Sequence, residues 1–150
     1  MENIKPNLGT LKDKKHYYPI RVFYNHTDAG GIVYFANYLR MTEEARVAMF
    51  YLLGQSDKEE YMKLQKTGDF VVRSCSAEYL KSAMLYDDLV VESYLSELGK
   101  SYIVLSQNIY RGEEKLVEVK FKLVFVKICE EGSVHHKPAR VPEFWIERLK

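Results

Sequence analysis

The sequence has little of several features that mark particular classes of protein. Only two of its 150 residues are cysteines, Cys75 and Cys129, and they lie far apart in no metal-ligand spacing. We therefore expect two buried free thiols in a reducing compartment, which predicts a cytoplasmic protein without a bound metal. No apolar run approaches the roughly 20 residues of a membrane span. Residues 1–18 have no apolar segment of the kind that a signal peptide carries.

An excess of charge of one sign is also missing. The formal net charge is +1, so electrostatics give no general case for binding nucleic acid. The strands contain many tyrosines, which could stack on RNA bases, but acidic residues are interspersed with them. What the sequence does have is 47% apolar residues and twelve tyrosines, a composition typical of a globular domain. We expect a flexible tail over residues 1–15 and a single domain over residues 16–150.

The first half of the chain predicts a strand followed by helices. An alternating run near residues 18–24 is typical of a strand. From residue 33 to 53 the apolar residues recur at steps of three and four, which predicts an amphipathic helix ending at Gly54. Its apolar stripe consists of Tyr34, Tyr38, Met41, Ala45, Ala48, Met49 and Leu52. Glu43, Glu44 and Arg46 fall largely off that stripe. A shorter helix is expected over residues 58–65, before Gly68.

The second half predicts strand after strand, at residues 69–80, 89–98, 102–111 and 115–128. The last strand alternates most clearly, with apolar residues at 117, 119, 121 and 123 and charged residues between them. Short turns containing Gly99 and Gly112 predict antiparallel pairing of the neighbouring strands. The closing segment VPEFWIERLK predicts a short helix with Pro142 in its first turn.

This order of elements indicates an α+β domain. One long helix cannot bury its apolar stripe alone, whereas an antiparallel sheet with one apolar face can bury it by curling around it. We therefore predict a hotdog fold, an antiparallel β-sheet wrapped around one long central helix. The pattern alone does not separate this architecture from other α+β folds.

The segment HTDAGGIVYFANY, residues 26–38, stands where the first strand gives way to the long helix. Asp28 and the preceding threonine have the chemistry of helix caps, because a side-chain oxygen accepts a bond from an unpaired N–H group. In that interpretation Gly30 and Gly31 only make a turn. A functional interpretation competes with it.

The functional interpretation starts from the free N–H groups and partial positive charge at a helix N-terminus. A carbonyl oxygen bound there would be polarised, and an oxyanion forming on it would be stabilised. Gly30 and Gly31 lack side chains, so a substrate could approach the backbone closely. Asp28 would then attack the carbonyl carbon or activate a water. Such a site suits a thioester, whose thiolate leaves with little help from an acid.

A family resemblance favours the functional interpretation. The segments YNHTDAGGIVYFANYLRMTEEAR and FVVRSCSAEYLKSAMLYDDLVVESYLSELGKSY resemble the YbgC-type branch of the 4-hydroxybenzoyl-CoA thioesterase family. The resemblance covers about residues 17–128, and its core, TDAGGIVYxANY, is long and gapless. That branch includes acyl-CoA thioesterases associated with the Tol-Pal system. The resemblance implies a hotdog fold and hydrolysis of acyl-CoA without a metal or organic cofactor.

The resemblance also implies roles for particular residues. The catalytic aspartate of the family matches Asp28, and the backbone N–H that holds the thioester carbonyl matches that of Phe35. We add Tyr34, its neighbour at the start of the helix, to the candidate catalytic residues. The family's assembly implies a homodimer or homotetramer with the site between subunits, and Tol-Pal or lipid-synthesis proteins as partners.

Other positions match less specifically. Lys100 and Ser101 match a turn that contacts the phosphates of coenzyme A in some relatives, although an ordinary hairpin turn explains them equally well. Arg73 and Ser74 are candidates for the pantetheine channel, although strand-surface residues are the simpler interpretation. His26 is either a second acid–base group beside Asp28 or an exposed loop residue.

The chain departs from its relatives at Phe35, often His or Tyr, at Ser82, usually Pro, and at Met84, usually Arg. If the arginine of relatives holds coenzyme A or the acyl group, its absence at Met84 bears on the substrate preference. Two further functions stay open: a thioesterase acting on acyl carrier protein, and a non-catalytic acyl-binding partner in a cell-envelope complex, which the departures at Phe35 and Met84 favour. Faster hydrolysis of carrier-protein thioesters than of CoA thioesters would favour the carrier-protein thioesterase. Tight binding of acyl-CoA without hydrolysis would favour the non-catalytic partner.

Overall fold

A computed structural model describes residues 3–54, 56–128 and 136–150. Its α-helices are α1 (Phe35–Leu53), α2 (Lys58–Thr67) and α3 (Glu143–Leu149). Its strands are β1 (Thr10–Lys12), β2 (Lys15–Arg21), β3 (Asp69–Tyr79), β4 (Asp88–Leu98), β5 (Tyr102–Arg111), β6 (Glu114–Ile128) and β7 (His136–Pro138). The predicted long helix, second helix, C-terminal helix and four later strands are therefore present.

The described strands form one antiparallel sheet in the order β1-β2-β4-β5-β6-β3, and β7 pairs with the last residues of β6. Strand β3 does not pair with the next strand along the chain but returns to pair with β6, so it forms one edge of the sheet. The side chains of Val117, Val119, Phe121 and Leu123 are all buried, which confirms the predicted alternation of β6. Helix α1 covers this apolar face, and the architecture is the predicted hotdog fold.

Helix α1 begins two residues later than the periodicity predicts, because Tyr34 has extended backbone angles and serves as the N-cap. The helix ends as predicted at Gly54, whose N–H donates to the Phe50 carbonyl at 2.8 Å. Most of the predicted stripe is buried, but Tyr34 is exposed. Pro142, expected inside the first turn of α3, is its N-cap.

Arg46 differs from its expected position on the polar side of α1, because it is buried. Its guanidinium donates to Oε1 of Gln107 at 2.9 Å and lies 4.4 Å from the centroid of the Phe121 ring. Burial lowers the pKa of Arg46. The sheet thus supplies a polar and an aromatic partner that make this site tolerable for a cation.

The segment expected to be a flexible tail contains β1, which pairs with β2 in a hairpin. Asp13 and Lys14 form its two-residue turn, with φ angles of 51° and 65°. Positive φ at both central positions is the geometry that matches the twist of paired strands. The first predicted strand also lies earlier than expected, since β2 ends at Arg21.

Cys75 corrects the expectation of two buried thiols, because its side chain is exposed. It pairs with Phe121 and therefore shares the inner face of the sheet. Since β3 is an edge strand, packing covers this face incompletely. Cys129 lies outside the described residues.

Candidate active site

Asp28 lies in a tight turn between Thr27 and Val33, which form an isolated antiparallel bridge. The Asp28 N–H donates to the Ile32 carbonyl at 2.9 Å, and the Gly31 N–H donates to the Asp28 carbonyl at 3.2 Å. Gly31 has φ +83°, a conformation that favours glycine. This segment, residues 27–33, is called the Asp28 turn below.

The Asp28 carboxylate is exposed, and only one of its oxygens is held by the turn. Oδ1 accepts the Gly30 N–H at 2.8 Å and the Ile32 N–H at 3.4 Å. No hydrogen bond to Oδ2 occurs within the described residues. The turn therefore orients the carboxylate through one oxygen and leaves the other available to a ligand.

The geometry contradicts the interpretation of Asp28 as a cap of α1. The N-cap is Tyr34, six residues after Asp28, and its side chain makes no capping hydrogen bond. The Tyr34 N–H donates to the His26 carbonyl, and the Asn37 N–H donates to the Tyr34 carbonyl. The N–H groups of Phe35 and Ala36 have no acceptor among the residues that the structure describes. They are the free donors of the helix N-terminus.

A second segment, residues 82–87, braces the Asp28 turn and is called the bracing loop below. The Val33 N–H donates to the Ala83 carbonyl at 3.0 Å, and the Leu85 N–H donates to the Gly31 carbonyl at 2.9 Å. The Ala83 N–H donates to the Tyr38 hydroxyl at 2.8 Å. The bracing loop therefore contacts both the turn that carries Asp28 and the first turns of α1.

Aromatic rings surround the start of α1. The Phe35 ring lies 5.0 Å from that of Tyr34 and 6.0 Å from that of Tyr79, at the end of β3. These three side chains are 57%, 51% and 44% exposed. Exposed aromatic side chains beside free N–H donors offer an apolar contact surface next to a polar binding point.

His26 serves the local backbone. Its ring Nδ1 accepts the Phe23 N–H at 3.1 Å, and its carbonyl accepts both the Tyr34 N–H and Nδ2 of Asn37. No hydrogen bond joins His26 to Asp28 within the described part of the chain. The geometry thus favours a structural role for His26.

The remaining candidate residues lie apart from Asp28 within one chain. Lys100 and Ser101 form the turn between β4 and β5, and their carbonyls accept the N–H groups of Val141 and Phe125. This turn is at the opposite end of the strands from the bracing loop, which precedes β4. Arg73 and Ser74 are exposed on β3, where Arg73 is the extra residue of a bulge.

No group of three or more His, Cys, Asp or Glu residues that could hold a metal ion occurs in the described ranges. None of the helices in residues 3–54, 56–128 and 136–150 combines the length and the apolar character that crossing a membrane requires.

Sequence reasoning missed the roles of two residues at this site: Tyr38, the last residue of the motif, and Tyr79, which lies outside it. Tyr38 was predicted as core, but its hydroxyl also holds the bracing loop. Tyr79 was read only as part of a strand. The spacing of an amphipathic helix indicates which residues face inward, not which hydroxyl meets which backbone group.

Chemically, the site offers an exposed carboxylate, a free pair of N–H donors and an apolar surface. The donors can bind a carbonyl oxygen and stabilise negative charge on it. A carboxylate can attack the carbonyl carbon or take a proton from water. These are the elements of acyl transfer.

The family model of the thioesterase superfamily matches residues 30–118. The acyl-CoA thioesterase YbgC of Helicobacter pylori is 33% identical over 133 residues, which span 86% of this chain and 96% of that protein. The acyl-CoA thioester hydrolase YbgC of Escherichia coli O157:H7 is 30% identical over 133 residues, 89% of this chain and 94% of that protein. The 4-hydroxybenzoyl-CoA thioesterase of Pseudomonas sp. strain CBS-3 superposes with a TM-score of 0.76 at 20% identity, covering 89% and 98% of the two chains.

Proposed function

The chain belongs to the thioesterase superfamily and is a thioester hydrolase, and we propose that it hydrolyses acyl-CoA thioesters with Asp28 as the reacting side chain. The observation that carries the proposal is the exposed Asp28 carboxylate in the turn that leads directly to the free N–H groups of α1. The names of the two YbgC relatives support acyl-CoA as the substrate.

The N–H of Phe35 binds the thioester carbonyl oxygen in this proposal, and that of Ala36 lies beside it. As the carbonyl carbon becomes tetrahedral, negative charge develops on this oxygen and is stabilised by the donor and by the helix dipole. Loss of one such donor typically lowers kcat by about 100- to 1000-fold. Gly30 and Gly31 keep the approach to the carboxylate open.

Asp28 acts through Oδ2 by one of two balanced routes. As a general base it takes a proton from water, the hydroxide adds to the carbonyl carbon, and the tetrahedral intermediate expels the coenzyme A thiolate, leaving the carboxylic acid. As a nucleophile it forms a mixed anhydride and releases the thiolate, and water then cleaves the anhydride. Both routes use water and groups of the protein alone.

The acyl group packs in this proposal against the exposed rings of Tyr34, Phe35 and Tyr79. A planar ring with two rotatable angles loses little conformational freedom when it contacts a ligand. These rings lie at the end of β3, which is one of the two edge strands of the sheet. A second subunit on that edge would cover the acyl group from the other side.

We propose that two copies pair antiparallel through their β3 strands, giving a homodimer with a continuous sheet. An 11-residue edge strand with exposed Val71 and Val72 supports this pairing, because unpaired edges of this kind readily add a strand. Such pairing brings the start of the partner's β3 beside the end of this one. It thereby brings the partner's β4–β5 turn, with Lys100 and Ser101, to the end where Asp28 lies.

The test is hydrolysis of a panel of acyl-CoA thioesters, from short aliphatic to long-chain and benzoyl, followed by release of free thiol. Wild type should hydrolyse at least one, and Asp28→Asn should lose at least 100-fold in kcat while keeping its thermal stability. Glu44→Gln, at an exposed α1 carboxylate, is the matched control and should retain wild-type kcat. Asp28→Asn at wild-type rate would refute the role of Asp28, and wild type inactive on every acyl-CoA would refute the substrate class.

A further inference from the structure

We propose that Arg111 is a positioning residue that holds the Asp28 turn in its catalytic geometry through the bracing loop. Arg111 is the last residue of β5, on a different hairpin from the catalytic motif. The inference rests on the proposed function of Asp28. In this proposal the Arg111 side chain fixes both the bracing loop and the Asp28 turn, which are far apart in sequence.

Arg111 makes hydrogen bonds with three groups at once. Its Nη1 donates to Oδ2 of Asp87 at 2.7 Å and more weakly to the Ser82 carbonyl at 3.4 Å, while its Nη2 donates to Glu114. Glu114 in turn accepts a hydrogen bond of 2.6 Å from Nζ of Lys81. The guanidinium thus bonds residues at both ends of the bracing loop, Ser82 and Asp87.

Asp87 connects Arg111 with the backbone of the bracing loop. The oxygen that accepts Arg111 also accepts the Met84 N–H at 2.8 Å, and the Asp87 N–H donates back to the Met84 carbonyl at 3.0 Å. Met84 is the bridge partner of Ile32 in the Asp28 turn. One carboxylate oxygen therefore connects Arg111 with the backbone that pairs with the turn.

The bracing loop then reaches the turn through two backbone bonds, from the Val33 N–H to Ala83 and from the Leu85 N–H to Gly31. Gly31 and Val33 lie between Asp28 and the first free donor of α1 at Phe35. Movement of the bracing loop would change the position of the carboxylate relative to that donor. A misplacement of about 1 Å at a reacting group can lower the rate by about 100-fold.

The geometry distinguishes Arg111 from the other arginine ion pair near this end of the sheet. Arg21 pairs with Asp88 at 2.6 Å, but the two side chains are 58% and 71% exposed and neither bonds the bracing loop. The Arg111 and Asp87 side chains are 34% and 25% exposed. Both guanidiniums are planar, but Arg111 bonds Ser82, Asp87 and Glu114 at fixed angles, whereas Arg21 bonds Asp88.

The experiment compares Arg111→Gln, Arg111→Lys, Asp87→Asn and wild type. Lys115→Gln is the matched control, because Lys115 lies in the same hairpin and pairs with Glu118 without a bond to the bracing loop. We expect Arg111→Gln to lower kcat by about 10- to 100-fold with KM within about twofold of wild type. Arg111→Lys should have a kcat between those of Arg111→Gln and wild type. An ammonium can bond one carboxylate but cannot bond several acceptors in one plane as the guanidinium does. Asp87→Asn should fall between Arg111→Gln and wild type.

A second readout, amide hydrogen exchange, is independent of substrate. Exchange at Val33 and Leu85 should be faster in Arg111→Gln than in wild type, and unchanged in Lys115→Gln. Wild-type kcat in Arg111→Gln, or a lower kcat with unchanged exchange at both amides, would overturn the proposal. A lower melting temperature at unchanged kcat would also overturn it, because it would reduce Arg111 to a structural role. If wild type hydrolyses no acyl-CoA, the proposed function fails, and the catalytic part of the Arg111 proposal fails with it. Faster exchange in Arg111→Gln would then still support the restraint of the Asp28 turn by Arg111, and unchanged exchange would overturn that restraint as well.

Discussion

Replacing Tyr38 by phenylalanine removes one hydroxyl from the contact between α1 and the bracing loop. The ring is kept, so the packing of the core changes little. The lost atom is the acceptor of the Ala83 N–H at 2.8 Å. Tyr38 is 3% exposed and Ala83 is fully buried, so water cannot readily replace the missing acceptor.

The size of the effect follows from this burial. A buried donor left without a partner costs about 1–3 kcal/mol of the free energy of unfolding. For a chain of this length, about 1 kcal/mol lowers the melting temperature by about 2–4 °C. We therefore expect Tyr38→Phe to melt about 2–12 °C below wild type. The assay is thermal unfolding by circular dichroism, with urea unfolding to give the free energy directly.

Tyr61→Phe is the matched control for this prediction. Tyr61 is also largely buried, but its hydroxyl makes no hydrogen bond within the described residues, and its oxygen is not closed off from water. We expect its loss to change the free energy of unfolding by less than about 0.5 kcal/mol. Equal melting temperatures for the two variants would refute the reasoning, because the hydroxyl of Tyr38 would then be no more important than an unpaired one.

Two further predictions concern pH and assembly. Burial, reinforced by Asp69, raises the pKa of Tyr61 to about 12. In the unfolded chain a tyrosine loses its proton near pH 10. The contribution of this pKa shift to the free energy of unfolding is therefore complete below pH 10 and is lost as the pH rises towards 12. Between pH 9 and 12 wild type should lose about 2 kcal/mol more free energy of unfolding than Tyr61→Phe, and equal losses in urea titrations would contradict the shift. Val72 is exposed on the edge strand β3, and Val72→Lys should convert the proposed dimer to a monomer in sedimentation and lower kcat. Val47 is an exposed valine of α1, and Val47→Lys should preserve the β3-paired dimer. A dimeric Val72→Lys would argue against pairing through β3.

The elements that could be predicted from sequence are those whose signal is local and repeated. The alternation of β6 and the three-and-four spacing of α1 each extend over many residues, so an ambiguous position changes little. The β1–β2 hairpin escaped prediction because its turn is Asp13-Lys14. Lysine at positive φ carries no sequence signal, whereas glycine at the same position would have indicated a hairpin.

Arg46 and Cys75 were misjudged for a different reason. The partners that stabilise buried Arg46 are Gln107 and Phe121, which lie 61 and 75 residues away along the chain. Periodicity within a helix contains no information about them. The exposure of Cys75 depends on β3 being the last strand of the sheet, and strand order cannot be inferred from the alternation within a strand.

The candidate site depends both on a local sequence pattern and on contacts between residues that are distant in sequence. Asp28, its glycines and the start of α1 form one continuous segment, so the motif alone predicts a carboxylate close in sequence to a helix N-terminus. What holds them in position comes from elsewhere: the Asp28 turn is bonded to Ala83 and Leu85, and these depend on Asp87 and Arg111. A motif can therefore be complete in a sequence while the geometry it needs is supplied by distant residues. A relative that keeps the motif but lacks the Arg111–Asp87 pair should retain the fold and bind its thioester, yet hydrolyse it slowly.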